Sequence, residues 1–245
     1  MIQIYKNLLK ELESSEYSLD KDTINNHCVD WRGKYKGSSE IIFFPKSVSS
    51  IIKIIKFCHK RDIPIVPQGG NTSLVGGSVP RLNKGEIIIN LCKLNKIREI
   101  DTVSNTVTVE SGCILQSIND QLESYNLQMP ISLGSKGSCQ IGGNIATNAG
   151  GLNVIKFGSI RSNILGIEAI LPNGELYNDL KTVKKNNTGL DLKQLLIGSE
   201  GILGIITAAT FQIHKKSNDR VVIVISLKKF TQVLTAYQKF IYIFS

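Results

Sequence analysis

Three glycine-rich loops, each beside an apolar segment, constrain this chain more than any other feature of its sequence. They are residues 67–77 (the first loop), 133–151 (the second loop) and 198–207 (the third loop). Glycine allows positive backbone φ angles, and its N–H group can approach a ligand that a Cβ atom would keep at a distance. One such loop is typical of a turn. Three of them, with Glu200 as their single acidic residue, indicate a site for an extended anionic ligand.

The bulk composition excludes several classes of protein. The 245 residues are 42% hydrophobic and 20% charged, which is ordinary for a globular protein of one or two domains. No apolar run approaches the roughly 18 residues that a membrane-spanning helix requires. The N-terminus also lacks the apolar core of a signal peptide. We therefore expect a cytoplasmic protein without a membrane span.

The net charge of +9 is compatible with binding to nucleic acid or to an anionic membrane. The lysines are dispersed, however, and their densest groups, such as Lys184 and Lys185, have no interleaved aromatic residues. Lys, Asn and Ile are all heavily used, which indicates a background bias in composition. We expect no nucleic-acid partner, and a basic nucleic-acid-binding module ranks third among the interpretations.

The cysteines and histidines do not form a recognisable site. The five cysteines are widely spaced and never form a C-x-x-C pair, and the three histidines are equally scattered. This spacing favours neither a zinc site nor a disulfide framework. Reduced thiols and no structural metal are the expectation.

The apolar pattern divides the chain into four segments. Residues 1–19 contain an amphipathic helix, and residues 20–94 alternate between strands and a helix as a βαβ unit does. Residues 95–217 carry alternating segments typical of antiparallel strands, including a hairpin at Pro172-Asn173-Gly174. The predicted fold class is therefore α+β, with a small α/β lobe and a larger mixed-sheet lobe. The predicted elements are helices at 2–12, 48–60 and 114–123, and strands at 41–44, 63–66, 86–90, 97–101, 106–110, 165–171, 175–177 and 203–214.

Residues 218–245 differ from the rest of the chain. Their pattern predicts a strand at 221–225 and a helix at 228–244. A lone strand and helix cannot bury their own apolar faces. We interpret this segment as the beginning of a further module that the chain lacks.

The first loop has the composition of an anion-binding loop. The N–H groups of residues 69–73 can surround a diphosphate, and the side chains of Asn71, Thr72 and Ser73 can add hydrogen bonds to its oxygens. A polar turn between two strands accounts equally well for the same residues.

The second and third loops each allow a functional and a structural interpretation. In the second loop, Gly142 and Gly143 open a short helical turn whose small residues let the backbone approach a flat ring; tight packing of a helix on a sheet also selects glycine. In the third loop, the Glu200 carboxylate can accept a hydrogen bond from a ribose hydroxyl or hold the loop by bonding its N–H groups. The Rossmann and P-loop motifs are absent from the sequence. A ligand here is therefore held between several separate loops.

Longer runs of sequence carry a family resemblance. Residues 65–80 (IVPQGGNTSLVGGSVP) resemble the pyrophosphate loop of FAD-linked oxidases of the vanillyl-alcohol oxidase, or PCMH, type, and residues 133–151 resemble the loop beside their isoalloxazine ring. Residues 185–201 (KNNTGLDLKQLLIGSEG) and 30–33 (DWRG) are similar to D-2-hydroxyglutarate dehydrogenases and the related cytochrome-linked D-lactate dehydrogenases. Motifs of this length are far more specific than a short pattern.

The resemblance implies a fold and a reaction. The fold is a two-lobed FAD-binding domain with the cofactor between the lobes. The reaction is oxidation of a D-2-hydroxyacid, in which hydride passes from substrate C2 to flavin N5 and a separate acceptor then takes the electrons. Non-covalent FAD is expected because the first loop offers Asn71, Thr72 and Ser73 where some relatives have a histidine that binds the flavin. The chain departs from the family pattern at Ser73, where glycine is usual, and at Ser132, where aspartate is frequent.

The resemblance also implies what is missing. In the family, a C-terminal cap domain supplies the substrate arginine, the metal ligands and the catalytic histidine, and we expect this chain to lack that domain. No catalytic or metal-binding residue is therefore assigned.

The leading hypothesis is the FAD-binding portion of a D-2-hydroxyglutarate dehydrogenase-like flavoenzyme, with FAD, an electron acceptor and a separately encoded cap domain as partners. The alternative is a non-catalytic remnant of a split gene that only binds flavin or another protein. The predicted FAD-binding residues come from all three loops: Pro67, Gln68, Gly69, Gly70, Asn71, Thr72, Ser73, Gly76, Gly77, Leu133, Gly134, Gly137, Ser138, Ile141, Gly142, Gly143, Asn144, Thr147, Asn148, Gly150, Gly151, Glu200, Gly201, Gly204, Ile205 and Ile206.

Overall fold

The computed structural model describes residues 2–217 and 221–244. Their strands are, in chain order, β1 (Tyr17–Ser18), β2 (Ile42–Phe43), β3 (Ile65–Gln68), β4 (Ile87–Asn90), β5 (Ile97–Asp101), β6 (Thr106–Glu110), β7 (Leu127–Gln128), β8 (Ile164–Ile170), β9 (Leu176–Asn178), β10 (Ile205–Gln212) and β11 (His214–Lys215). The helices are α1 (Lys6–Lys10), α2 (Lys21–His27), α3 (Val48–His59), α4 (Leu115–Glu123), α5 (Ile141–Ala146), α6 (Val154–Phe157), α7 (Ile160–Asn163), α8 (Lys193–Leu196) and α9 (Thr231–Phe244), with 3-10 turns at Ile2–Tyr5 and Ser14–Glu16.

The first sheet has the strand order β1-β2-β4-β3 and is largely parallel. The crossover from β2 to β3 runs through α3, which begins where the Ser47 hydroxyl accepts a hydrogen bond from the Ser50 N–H at 3.1 Å. Ile51, Ile54 and Cys58 bury one face of α3 in the core of this sheet. The arrangement matches the βαβ unit that the sequence predicts.

The second sheet is antiparallel, with the order β5-β6-β10-β8-β9. Strand β10 lies at its centre and pairs with β6 on one side and β8 on the other. The predicted hairpin joins β8 to β9, and Gly174 takes a φ of 81° in its turn. Strands β7 and β11 form a separate two-stranded pair that the sequence did not predict, because strands this short carry no periodic pattern.

Two main hydrophobic cores accompany the two sheets. The larger one lies against the second sheet and includes Leu115, Ile118 and Phe211. The other core lies against the first sheet, and the N-terminal residues Tyr5 and Leu8 belong to it. Ile170 and Ile205 also belong to this core although they come from strands of the second sheet. The two sheets are therefore joined by shared packing, and the predicted α+β class is confirmed.

The predicted strand at residues 221–225 is wrong. These residues have no regular secondary structure, and the side chains of Val221, Val222 and Val224 are more than 80% exposed. The preference of Val and Ile for strands reflects packing on a pleated, half-buried surface, and no other strand among the described residues pairs with this segment. The helix that follows is present as α9, although it begins at Thr231, later than predicted.

A charged network ties together four strands of the second sheet. The guanidinium of Arg98 on β5 donates to both carboxylate oxygens of Glu168 on β8, at 3.1 and 3.0 Å, and to Glu110 on β6 at 3.2 Å. The Thr207 hydroxyl on β10 donates to Glu168 at 2.8 Å. Both carboxylates are buried, so these hydrogen bonds replace the hydration that each carboxylate loses on folding.

We predict that Arg98→Met destabilises the chain. The substitution leaves two buried carboxylates without their cation, and the free energy of unfolding should fall by about 3 kcal/mol. Urea denaturation followed by circular dichroism measures the change. The matched control is Lys46→Met, which removes the exposed ion pair between Lys46 and Glu13 and should leave the midpoint near that of the wild type. Equal midpoints for both variants would show that the network contributes nothing.

Candidate functional site

The three loops surround one cavity of about 460 Å³. Its volume lies in the range of roughly 300–1,000 Å³ that is usual for cofactor and small-molecule sites. The first loop follows the carboxyl end of β3, the second contains α5, and the third leads into β10. The cavity is lined by Pro67, Gln68, Gly69, Gly70, Asn71, Thr72, Ser73, Leu74, Val75, Gly77, Ser78, Leu91, Leu133, Ser135, Gln140, Gly142, Gly143, Asn144, Ala146, Thr147, Ala149, Glu200, Gly201, Gly204, Ile205 and Ile206.

Most of the predicted site residues line this cavity, and they come from all three loops. The predicted residues outside its lining are Gly76, Gly134, Gly137, Ser138, Ile141, Asn148, Gly150 and Gly151. Several of these act on the structure of the loops. Ile141 is fully buried in the larger core, and a Cβ atom on Gly151 would lie 2.0 Å from the carbonyl oxygen of Ser132.

The loops touch one another through glycine backbone. A Cβ atom on Gly70 in the first loop would lie 2.0 Å from the Ser138 carbonyl oxygen in the second. A Cβ atom on Gly201 in the third loop would lie 2.7 Å from Cγ of Pro67. At these two positions glycine is required for the loops to pack against each other. Gly143 differs, because it lines the cavity and a Cβ atom there would meet nothing within 4 Å.

The first loop presents a run of unpaired donors to the cavity. None of the five backbone N–H groups of residues 69–73 donates a hydrogen bond to any group in the described part of the chain. All five residues line the cavity, and its lining contains no lysine or arginine. Successive N–H groups of this kind form a concave anion site without a cationic side chain. The diphosphate of a dinucleotide is an anion that fits such a run.

The side chain of Asn71 holds the first loop in place. Its amide nitrogen donates to the Val29 carbonyl oxygen at 2.7 Å, and its oxygen accepts from the Ser78 hydroxyl at 2.7 Å. The residue takes a positive φ of 51°, which asparagine tolerates better than most residues. The predicted phosphate contact of this side chain is therefore replaced by loop anchoring, while its backbone N–H stays free.

The third loop brings a free carboxylate to the cavity. Glu200 has a φ of 51°, and its N–H donates to the Ala146 carbonyl oxygen of the second loop at 2.8 Å. The carboxylate has no hydrogen bond or ion pair within the described residues. It therefore does not hold the loop by bonding N–H groups, and it is available to accept hydrogen bonds from a ligand.

Eight lining residues were missed by the sequence analysis. Leu74 and Val75 lie within the first loop but were not among the predicted site residues, and both are exposed. Gln140 was also missed, because it lies between two buried apolar residues, Cys139 and Ile141. Its position directly before a helix could have indicated a place at the cavity. The others are Ser78, Leu91, Ser135, Ala146 and Ala149.

Two buried thiols are held in the protonated form. Burial raises the pKa of Cys113 to about 11 and that of Cys58 to about 12, so both stay protonated at neutral pH. No group of three or more His, Cys, Asp and Glu side chains suited to a metal ion occurs in residues 2–217 and 221–244.

Comparison with known proteins decides the family. A model of the FAD binding domain matches residues 39–179. The chain belongs to this family of FAD-binding domains. Its cofactor is FAD, and the free N–H run, the open face of Gly143 and the apolar residues at the cavity wall fit that cofactor. This confirms the predicted cofactor and the predicted family.

Curated relatives give the same result. The chain is 49% identical over 188 residues to a probable D-2-hydroxyglutarate dehydrogenase of Oryza sativa subsp. indica, covering 77% of this chain and 33% of the relative. It is 42% identical to the Danio rerio D-2-hydroxyglutarate dehydrogenase, covering 89% and 41%. It is 40% identical to a putative D-lactate dehydrogenase of Schizosaccharomyces pombe, covering 97% and 46%. The chain thus spans less than half the length of these relatives.

Solved structures show the same fold. Alkyldihydroxyacetonephosphate synthase superposes with a TM-score of 0.78 at 24% identity, covering 88% of this chain and 40% of that one. A variant of Phl p 4, described as a glucose oxidase, superposes with a TM-score of 0.73 at 18% identity, covering 86% and 44%. At these identities the likeness establishes the fold and nothing about substrate.

The expectation of a cytoplasmic protein is wrong. All three of the curated relatives above are named as mitochondrial proteins. The absence of a recognisable signal peptide argued only against secretion, so it did not establish a cytoplasmic location. Among the described residues, no helix is long and apolar enough to cross a bilayer.

We predict that Gly143→Ala weakens FAD binding without harming the fold. The added methyl group projects into the cavity, and alanine is the better helix former, so the melting temperature without FAD should stay level or rise. Affinity for FAD should fall roughly tenfold, as expected for overpacking. Gly70→Ala is the contrasting variant, because its methyl group collides with Ser138 and should lower the melting temperature itself. Unchanged affinity in Gly143→Ala would place FAD elsewhere.

Proposed function

We propose that the cavity holds FAD without a covalent bond, with the diphosphate at the N–H groups of residues 69–73. The single observation that carries this proposal is that five consecutive residues of the cavity wall have N–H groups with no partner among the residues that the structure describes. The second loop and the start of β10 supply small and apolar residues, among them Gly143, Ala146 and Ile206, and these suit the isoalloxazine ring. The lining contains no histidine, cysteine or tyrosine, the side chains through which a flavin is covalently attached.

The same cavity supplies few groups for chemistry on a substrate. Bound flavin accepts hydride, and here it would take it from C2 of a D-2-hydroxyacid, the substrate class that the names of the relatives give. Glu200 is the single titratable residue in the lining, and it lies on the side of the third loop. The lining provides no cationic side chain for a hydroxyacid carboxylate, and in this proposal the N–H groups of residues 69–73 are occupied by the diphosphate. The residues of this chain therefore bind and orient the flavin.

We infer that the substrate arginine and the base come from a further polypeptide portion. The chain spans 33–46% of the length of the relatives above, which leaves more than half of each without a counterpart here. The exposed apolar segment from Val221 to Ile225, together with α9, offers such a portion an attachment surface. In this proposal residues 1–19 and 20–94 form the small lobe with its N-terminal helix, residues 95–217 the larger lobe, and residues 218–245 the start of the cap. The names of the relatives support mitochondria as the compartment.

A non-catalytic flavin-binding module is the second candidate. It is favoured by the absence of any lysine, arginine or histidine from the cavity lining. Both candidates bind FAD, and they differ only in whether a complementary portion restores turnover.

We predict that the purified chain binds FAD but oxidises a substrate only when a second polypeptide supplies the remaining portion. After titration with FAD, the protein itself should carry the flavin absorbance at about 450 nm, and FAD should raise its melting temperature. The remaining part of the Danio rerio relative, expressed separately, is then added, and reduction of a dye is followed with D-2-hydroxyglutarate. The control is the L-enantiomer.

Three outcomes are distinct. Dye reduction that depends on the D-enantiomer supports a split flavoenzyme. Flavin binding without turnover supports the non-catalytic module. A chain that does not bind FAD at all contradicts the proposal.

A further inference from the structure

Glu200 is an exception among the residues with a left-handed backbone. Seven residues other than glycine take a positive φ in the described part of the chain, and six of them are asparagine or aspartate. These two residue types tolerate the conformation best, and it is uncommon for the others. Glu200, at a φ of 51°, is the seventh. The backbone therefore gives no reason for a glutamate at this position.

The side chain of Glu200 gives the fold no bond either. Its carboxylate makes no hydrogen bond or ion pair within the described residues, and the residue is exposed. It lines the cavity, where it is the single charged side chain. Strained backbone conformations occur preferentially at functional sites. The reason for a glutamate here therefore lies in what the cavity binds.

The carboxylate of Glu200 reaches the first loop. Its Oε2 atom lies 3.4 Å from the point where a Cβ atom of Gly77 would be. The next residue, Ser78, donates its hydroxyl to the side chain of Asn71, which belongs to the five residues with unpaired N–H groups. The carboxylate therefore lies beside the part of the first loop where the diphosphate is proposed to bind.

The chemistry of two neighbouring anions selects the partner of this carboxylate. A carboxylate and a phosphate oxygen both only accept hydrogen bonds at neutral pH, and the two groups repel each other. The cavity lining contains no cation that would offset this repulsion. The groups of FAD directly beside its diphosphate are the ribityl and ribose hydroxyls, which can donate. A hydroxyl bonded to a carboxylate forms a charge-assisted hydrogen bond, roughly twice as strong as a neutral one.

We infer that Glu200 accepts a hydrogen bond from a ribityl or ribose hydroxyl of FAD and makes the cavity selective for a diphosphate that carries such a sugar. The inference rests on the FAD site proposed above. A diphosphate without a sugar meets only the repulsion of the carboxylate, whereas FAD gains the hydrogen bond. Glu200 is thus a residue that determines specificity, and it keeps a strained backbone for that purpose.

The test is Glu200→Asn, which removes the charge and shortens the side chain. Affinity for FAD, measured by isothermal titration, should fall about tenfold, as expected for a lost hydrogen bond to a charged group. Affinity for inorganic diphosphate should instead rise by about twofold or more, because the repulsion is gone. Without ligand, the variant should melt at the temperature of the wild type or higher, since asparagine tolerates the positive φ. A residue with a purely structural role would lower that melting temperature.

Glu99→Gln is the matched control. The Glu99 side chain on β5 is likewise exposed and without a hydrogen bond or ion pair in the described part of the chain, but it does not line the cavity. The substitution removes the same charge, and both affinities should stay those of the wild type at physiological salt. Shifts in this control equal to those of Glu200→Asn would mean that net charge causes the effect, which would overturn the inference.

FAD analogues that each lack one hydroxyl identify the bonded sugar. The wild type should lose about tenfold in affinity for one analogue, of either the ribityl chain or the ribose, and Glu200→Asn should lose nothing further for that same analogue. Equal losses in both proteins for every analogue would overturn the inference. Unchanged or higher FAD affinity in Glu200→Asn would overturn it too, as would a fall in affinity for both FAD and inorganic diphosphate. If the wild type itself fails to bind FAD, the proposed site is wrong, which is a different result.

Discussion

The close contact between the backbones of the three loops is the constraint on which the site depends. Gly70 lies against the Ser138 carbonyl oxygen, and Gly201 lies against the ring of Pro67, at distances that leave no room for a Cβ atom. These contacts fix the first loop between the other two, so that residues 69–73 all line one cavity while their N–H groups have no partner in the described part of the chain. Donors that are already in place need no reorganisation when an anion arrives.

The two sheets hold the loops at that spacing. The first loop begins at the end of β3 in the parallel sheet, whereas the third leads into the central strand of the antiparallel sheet. Ile170 and Ile205 pack in the core of the first sheet although they belong to the second. The Arg98 network ties the strands on either side of β10 together. The two sheets together thus bring the three loops to one cavity without a nucleotide-binding helix of the Rossmann type.

Much of this arrangement was predictable from local pattern. The βαβ unit and the hairpin at Gly174 follow from periodicity and turn residues. The cofactor followed from long matching runs in the loops. The anchoring of Asn71 by Val29 and Ser78 was not predictable, because it depends on residues far away in sequence or across a folded loop. Residues 221–225 have the composition of a strand, yet strand formation requires a neighbour that sequence pattern alone does not provide.

The central claim is that the backbone N–H groups of residues 69–73 bind the diphosphate of FAD. Amide resonances of the isotopically labelled chain, recorded by NMR during titration with FAD, test it most directly. The account predicts that these five N–H resonances move together to lower field and that their protons become protected from exchange with solvent. FAD that binds while these five resonances and their exchange rates stay unchanged would contradict it.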